Sequence, residues 1–136
     1  MNFMNKAFKL ALKAQKNNDI PVGAVIVRDN KIISKGYNRK NVDNNAVSHA
    51  EIIAISKACK KLKTFNLNNC ELYVTLEPCN MCYYAIAEAK IKKVYYILNS
   101  DYKKTQINFS EKIECKKCDD VNNYLLLIQQ FFKKLR

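Results

Sequence analysis

The hydrophobic pattern changes period repeatedly over the first hundred residues, and that switching restricts the folds open to the chain more than any other feature. Val22–Val27 is an unbroken apolar run, Asp29–Asn30 supplies a turn, and Lys31–Tyr37 returns with partial alternation, which predicts a β-hairpin. A polar loop follows from Asn38 to Val47. With Ser48 as the expected cap, Ile52, Ile53, Ile55, Ala58, Cys59 and Leu62 then recur on one face of a helix. Leu72–Leu76 is a short β-rich run, Pro78 opens a helix reaching about Ala89, and Val94–Leu98 is a further strand. Amphipathic helices bracket the whole, Met1–Asn17 at one end and Tyr124–Leu135 at the other. The order predicts an α/β fold in which helices cover both faces of a sheet and crossover helices join parallel strands. Neither a repeat nor a long linker interrupts it, so residues 1–136 are expected to form a single domain.

Composition removes several function classes. Gly23 and Gly36 are the only glycines, so neither a Walker loop nor a GxGxxG fingerprint can be written, and no nucleotide cofactor is expected. No apolar run approaches the ~18–20 residues of a bilayer span, so no membrane is expected either. Six cysteines in a chain whose opening lacks the pattern of a secretory signal point to a reducing, cytoplasmic compartment rather than a disulfide framework. The basic, acid-free Met1–Asn17 stretch runs straight into strand-like sequence, and we read it as the first helix of the fold instead of a transit peptide.

Charge is the second strong signal. Twenty-four Lys and Arg against twelve Asp and Glu give a net +12, which fits a polyanionic partner, nucleic acid before membrane. The competing explanation is compositional: 21 of the 24 cations are Lys and 17 residues are Asn, a joint excess that AT-rich coding produces by itself.

Reactive side chains concentrate at His49-Ala50-Glu51 and Pro78-Cys79-Asn80-Met81-Cys82. Cys79 and Cys82 stand at i and i+3 in the first turn of a helix, where their sulfurs share a face and the helix N-terminus favours thiolate. His49 opens another helix. Three protein ligands, His49, Cys79 and Cys82, leave the fourth tetrahedral position of a Zn²⁺ ion to water, as catalytic zinc requires. Glu51, two residues beyond the histidine, is placed to carry protons. Together these residues write the H-x-E…P-C-x-x-C signature of zinc nucleobase deaminases. A second pair, Cys115-x-x-Cys118, offers the alternative of a structural Cys₄ site, which would leave His49 and Glu51 unexplained. Cys59 and Cys70 are expected to be core or spare thiols.

The chain resembles the tRNA-specific adenosine deaminases of the cytidine-deaminase-like superfamily. The phrases that carry the resemblance are Pro21–Val27 (PVGAVIV), Gly36–Arg39 (GYNR), Ser48–Ile55 (SHAEIIAI) and Leu72–Cys82 (LYVTLEPCNMC), with Phe131-Phe132 in the closing helix. It implies a three-layer α/β/α sandwich around a five-stranded mixed sheet, one zinc per chain, a homodimer, and conversion of the wobble adenosine of a tRNA anticodon arm to inosine. It also implies that the Asn38 side-chain amide and the Ala50 backbone bind the base. The sequence departs from the family pattern late in the chain. Ile97 and Gln106 stand at the expected glycine positions, Asp101–Thr105 is mis-spaced, Tyr83-Tyr84 replaces small residues, and the stretch from Thr105 to Tyr124 is short.

Three functions follow from these observations: an RNA adenosine deaminase, a free nucleobase or nucleoside deaminase of guanine or cytosine type, and a non-catalytic, zinc-stabilised RNA-binding subunit. Glu51 weighs against the last, since a binding module has no use for a proton carrier beside its metal.

Overall fold

The computed structural model describes residues 2–100 and 113–135. Its elements run α1 (Phe3–Lys16), β1 (Gly23–Arg28), β2 (Lys31–Tyr37), α2 (Lys40–Asp43), α3 (Ala50–Leu62), β3 (Glu71–Leu76), α4 (Asn80–Glu88), β4 (Lys93–Leu98), β5 (Glu114–Lys117) and α5 (Tyr124–Lys134). The strands form one mixed sheet in the order β2-β1-β3-β4-β5. β1 is antiparallel to both β2 and β3, whereas β3, β4 and β5 are mutually parallel. The expected five-stranded sheet between two helical layers is the arrangement observed.

Small residues let the helices sit directly on the strands. On one face α3 presents Ala50, Ala54 and Ala58 to Val22, Ala24 and Ile26, with Ile86 and Ala89 of the α4 segment completing the cluster. On the other, Met4, Ala7 and Ala11 of α1 pack with Ile97 and the wholly buried Tyr124 of α5. Two glycines mark the closest approaches. A Cβ on Gly23 would run into the α1 backbone at Ala7, and one on Gly36 would run into the Ala50 carbonyl of α3. Both residues have negative φ, so what these positions require is absence of a side chain rather than a left-handed backbone.

Several local expectations need correction. Ser48 does not cap α3: His49 holds the N-cap position with extended φ −81° and ψ 151°, while the Ser48 hydroxyl donates to Asp43 Oδ2 at 3.1 Å. Pro78 precedes α4 without opening it, because Cys79 is the N-cap and the first helical residue is Asn80. The loop from Asn38 contains the single turn α2, fixed by the buried Asp19 carboxylate, which accepts from the Asn41 backbone N–H at 3.1 and 3.2 Å. β5 is a strand that the hydrophobic pattern does not announce, since all four of its residues are exposed. Of the late departures, Gln106 and the Asp101–Thr105 run lie outside the described residues. Ile97 is buried beneath α1 and α5; Tyr83 is buried and Tyr84 exposed.

Candidate metal and catalytic site

The helices α3 and α4, side by side on one face of the sheet, bring their N-termini together. His49 and Cys79 occupy the two N-cap positions, where Ser, Thr, Asp or Asn is usual. The His49 side chain makes no capping bond. Its Nδ1 instead lies 3.7 Å from Cys79 Sγ and 3.5 Å from Cys82 Sγ. Edges of a tetrahedron with zinc–nitrogen and zinc–sulfur bonds of ordinary length are about 3.6 Å, so the donor set fits one zinc ion. All three ligand atoms fall within 4.8 Å of one another, the one such trio of His, Cys, Asp or Glu among the described residues.

The protons follow from the geometry. The Cys82 thiol and then His49 stabilise the Cys79 thiolate, holding its pKa down to about 4 against partial burial. Cys82 is pushed far up, because it donates to Cys79 and is itself buried. Without a cation the pair gives up one proton readily and keeps the other, and a bound dication expels both.

Glu51, in the first turn of α3, is 4% exposed. Burial lifts its carboxyl from 4.5 to about 7, opposed by its own backbone N–H and by the charge on His49. A carboxyl with that value gains and loses a proton near neutrality. Asn38 is buried beside it, but its Oδ1 accepts the Ala50 backbone N–H at 2.8 Å. That bond ties the end of β2 to the start of α3 and occupies the Ala50 N–H.

Asn38, His49, Glu51 and Cys79 line a cavity of about 110 Å³ that also receives Glu77 and Ser100. The spacing of motifs does not single out Glu77. Its Oε1 accepts from the Ser100 N–H at 3.1 Å and from the Ser100 hydroxyl at 3.4 Å, so it holds the chain leaving β4 against the site. A carboxylate placed between the apolar end of β3 and Pro78 was the available signal. The cavity shares Ile20, Leu76 and Ser100 with a groove of about 800 Å³, whose far wall is Leu125, Ile128 and Phe132 of α5.

The second cysteine pair takes no part. Cys115, in register with Val94, places its Sγ 3.2 Å from Tyr83 Oη on the α3–α4 side, whereas Cys118 packs in the cluster under α1 and α5. The Cys₄ alternative therefore fails, since the two thiols lie on opposite faces of the sheet. Cys59 and Cys70 pack in the core as expected.

Residues 1–98 match the family described as the cytidine and deoxycytidylate deaminase zinc-binding region. A tRNA-specific adenosine deaminase of Rickettsia bellii is 42% identical over 145 aligned positions, covering 98% of this chain and 99% of the relative. A solved structure from biochemical and structural studies of A-to-I editing by tRNA deaminases at the wobble position of transfer RNA superposes with a TM-score of 0.80 at 33% identity, covering 85% of this chain and 96% of that one. A guanine deaminase from Bacillus subtilis superposes with a TM-score of 0.72 at 32% identity, covering 98% and 95%.

Proposed function

Because the chain belongs to the cytidine and deoxycytidylate deaminase zinc-binding family, we propose that it is a zinc-dependent deaminase converting adenosine to inosine at the wobble position of a tRNA anticodon. The observation that carries the chemistry is the buried Glu51 carboxyl beside the convergent His49, Cys79 and Cys82. Those three residues would hold the zinc, which when bound supplies Lewis-acid activation of water at neutral pH.

The remaining steps belong to the protein. Glu51 accepts the proton of the attacking water at its carboxylate and delivers it to the ring nitrogen beside C6 of the base. It then carries a second proton to the departing amine, and ammonia leaves. Asn38, held by the Ala50 N–H, presents Nδ2 to an acceptor on the base edge. Ile20, Val22 and Leu76 supply the apolar wall that excludes bulk water. The nucleotide has to be splayed from its stack to enter, which an anticodon loop permits at low cost.

The groove along α5 and the charge of +12 support an RNA substrate over a free base. Free-base deamination is the second reading, favoured by the likeness to the Bacillus guanine deaminase. Incubating zinc-loaded protein with an anticodon stem-loop carrying wobble adenosine, beside free adenosine, cytidine and guanine, separates them. Inosine in the RNA alone supports the proposal, and turnover of a free base alone refutes it. The proposal includes a single domain acting in the cytoplasm as a homodimer. Tyr84, 52% exposed on α4, offers such a pair an apolar contact, and sedimentation equilibrium reads the stoichiometry. Among the described residues no helix is long and apolar enough to cross a membrane.

A further inference from the structure

A second cavity, of about 390 Å³, opens at the outer edge of the sheet, where the edge strand β2 runs between α1 and α3. Four cations from four parts of the chain converge on it: Lys13 of α1, Lys35 of β2, Arg39 ahead of α2 and Lys57 of α3. Among the described residues Asp43 is the only carboxylate in its lining, and it is already engaged, 3.1 Å from Arg39 Nε and 3.1 Å from the Ser48 hydroxyl. Arg39 Nη1 also donates to the Tyr37 hydroxyl at 2.9 Å, with the guanidinium carbon 5.5 Å from the centre of that ring, which holds it at the cavity wall. Lys6 and Lys9 extend the basic edge along the same side of α1, at the helical spacing that continues to Lys13. The crowding is felt at Lys6, whose ammonium is depressed chiefly by Lys35, then by desolvation and by Lys13 and Lys9.

We infer that this basic cavity binds the phosphodiester backbone of the RNA substrate, away from the nucleotide being deaminated. Lysines scattered by codon bias have no reason to converge from three separate elements on one concavity, whereas a polyanion gives the convergence an energetic return. Position agrees. Arg39 lines this cavity and its neighbour Asn38 lines the catalytic one, so an RNA seated at both would wrap around the β2 edge of the sheet. The inference rests on the tRNA reading, since a free base has no backbone to offer.

The test uses Lys35→Gln/Lys57→Gln, which removes two exposed charges outside the catalytic cavity. As a charge-matched control, Lys116→Gln/Lys117→Gln changes two exposed residues on β5, at the opposite edge of the sheet. Affinity for full-length tRNA is measured from low to moderate salt, with inosine formation at saturating tRNA. For the first variant we expect Kd to rise about tenfold, kcat to hold, and the slope of log K against log salt to fall by roughly 1.5, two phosphate contacts' worth. The control should move Kd by less than about twofold. An unchanged slope in the first variant, or equal losses in both, overturns the site while leaving the tRNA activity of the unmodified protein standing. Failure of the unmodified protein to bind or edit tRNA removes the functional reading itself.

Discussion

At Glu51, the burial that would serve the proposed chemistry works against the fold. In metal-free protein its carboxyl titrates at about 7 instead of 4.5, so its protonated form is the one the folded state prefers. Stability associated with this group is therefore fully present below about pH 4.5 and lost as pH rises through about 7. Glu51→Gln should flatten that limb, so thermal unfolding of the metal-free variant at pH 8 is expected at higher temperature than that of the unmodified protein. The same substitution should retain stoichiometric zinc and lower deamination by about 10²- to 10⁴-fold, the span of lost general acid–base catalysis. Metal analysis and an inosine assay on one preparation check both. Retained turnover would sink the assignment of Glu51. The residues of this site were legible because their types and short spacings, His-x-Glu and Cys-x-x-Cys, are rare in combination. The Asn38–Ala50 bond and the Glu77–Ser100 clasp were not, since each joins segments that only the fold brings together.

Among the elements, α3 carries the greatest constraint, because it contributes both His49 and Glu51 and sits with no spacer on β2 at Gly36. Gly36→Ala forces the Ala50 carbonyl away, and Ala50 lies between His49 and Glu51. A loss of about 1–3 kcal/mol is expected from such overpacking, with zinc affinity falling alongside the melting temperature. A variant that melts lower yet binds zinc as tightly as before would show that α3 slides as a rigid piece. At the other end, the Asp120 carboxylate accepts the Tyr124 N–H at 2.6 Å and the Leu125 N–H at 2.9 Å. Removing it in Asp120→Ala should cost about 0.5–2 kcal/mol, as caps of this kind do, read by denaturant midpoint. Periodicity identified α1, β1 to β4, α3, α4 and α5. It missed α2, one turn too short to show a period, and β5, whose Glu-Cys-Lys-Lys carries no apolar alternation and owes its strand form to pairing with β4.

Across the whole molecule, zinc would act as a clip between two helices that belong to different parts of the sequence. Chelation should lower the melting temperature by several degrees, and re-addition should release protons as Cys82 is ionised. Calorimetric titration in buffers of different ionisation enthalpy measures that release. An enthalpy independent of buffer would mean that both thiols were already ionised.

One hydrogen bond ties the architecture to the order in which the chain is made. The buried Tyr124 hydroxyl donates to the Pro21 carbonyl at 2.6 Å, across a separation of 103 residues, just ahead of Val22 on the wall of the catalytic cavity. His49, Glu51, Cys79 and Cys82 all leave the ribosome before Tyr124 does. A nascent chain could thus gather zinc while the segment leading into β1 still lacked its anchor, and the pocket would take its final shape only once Tyr124 had emerged and docked.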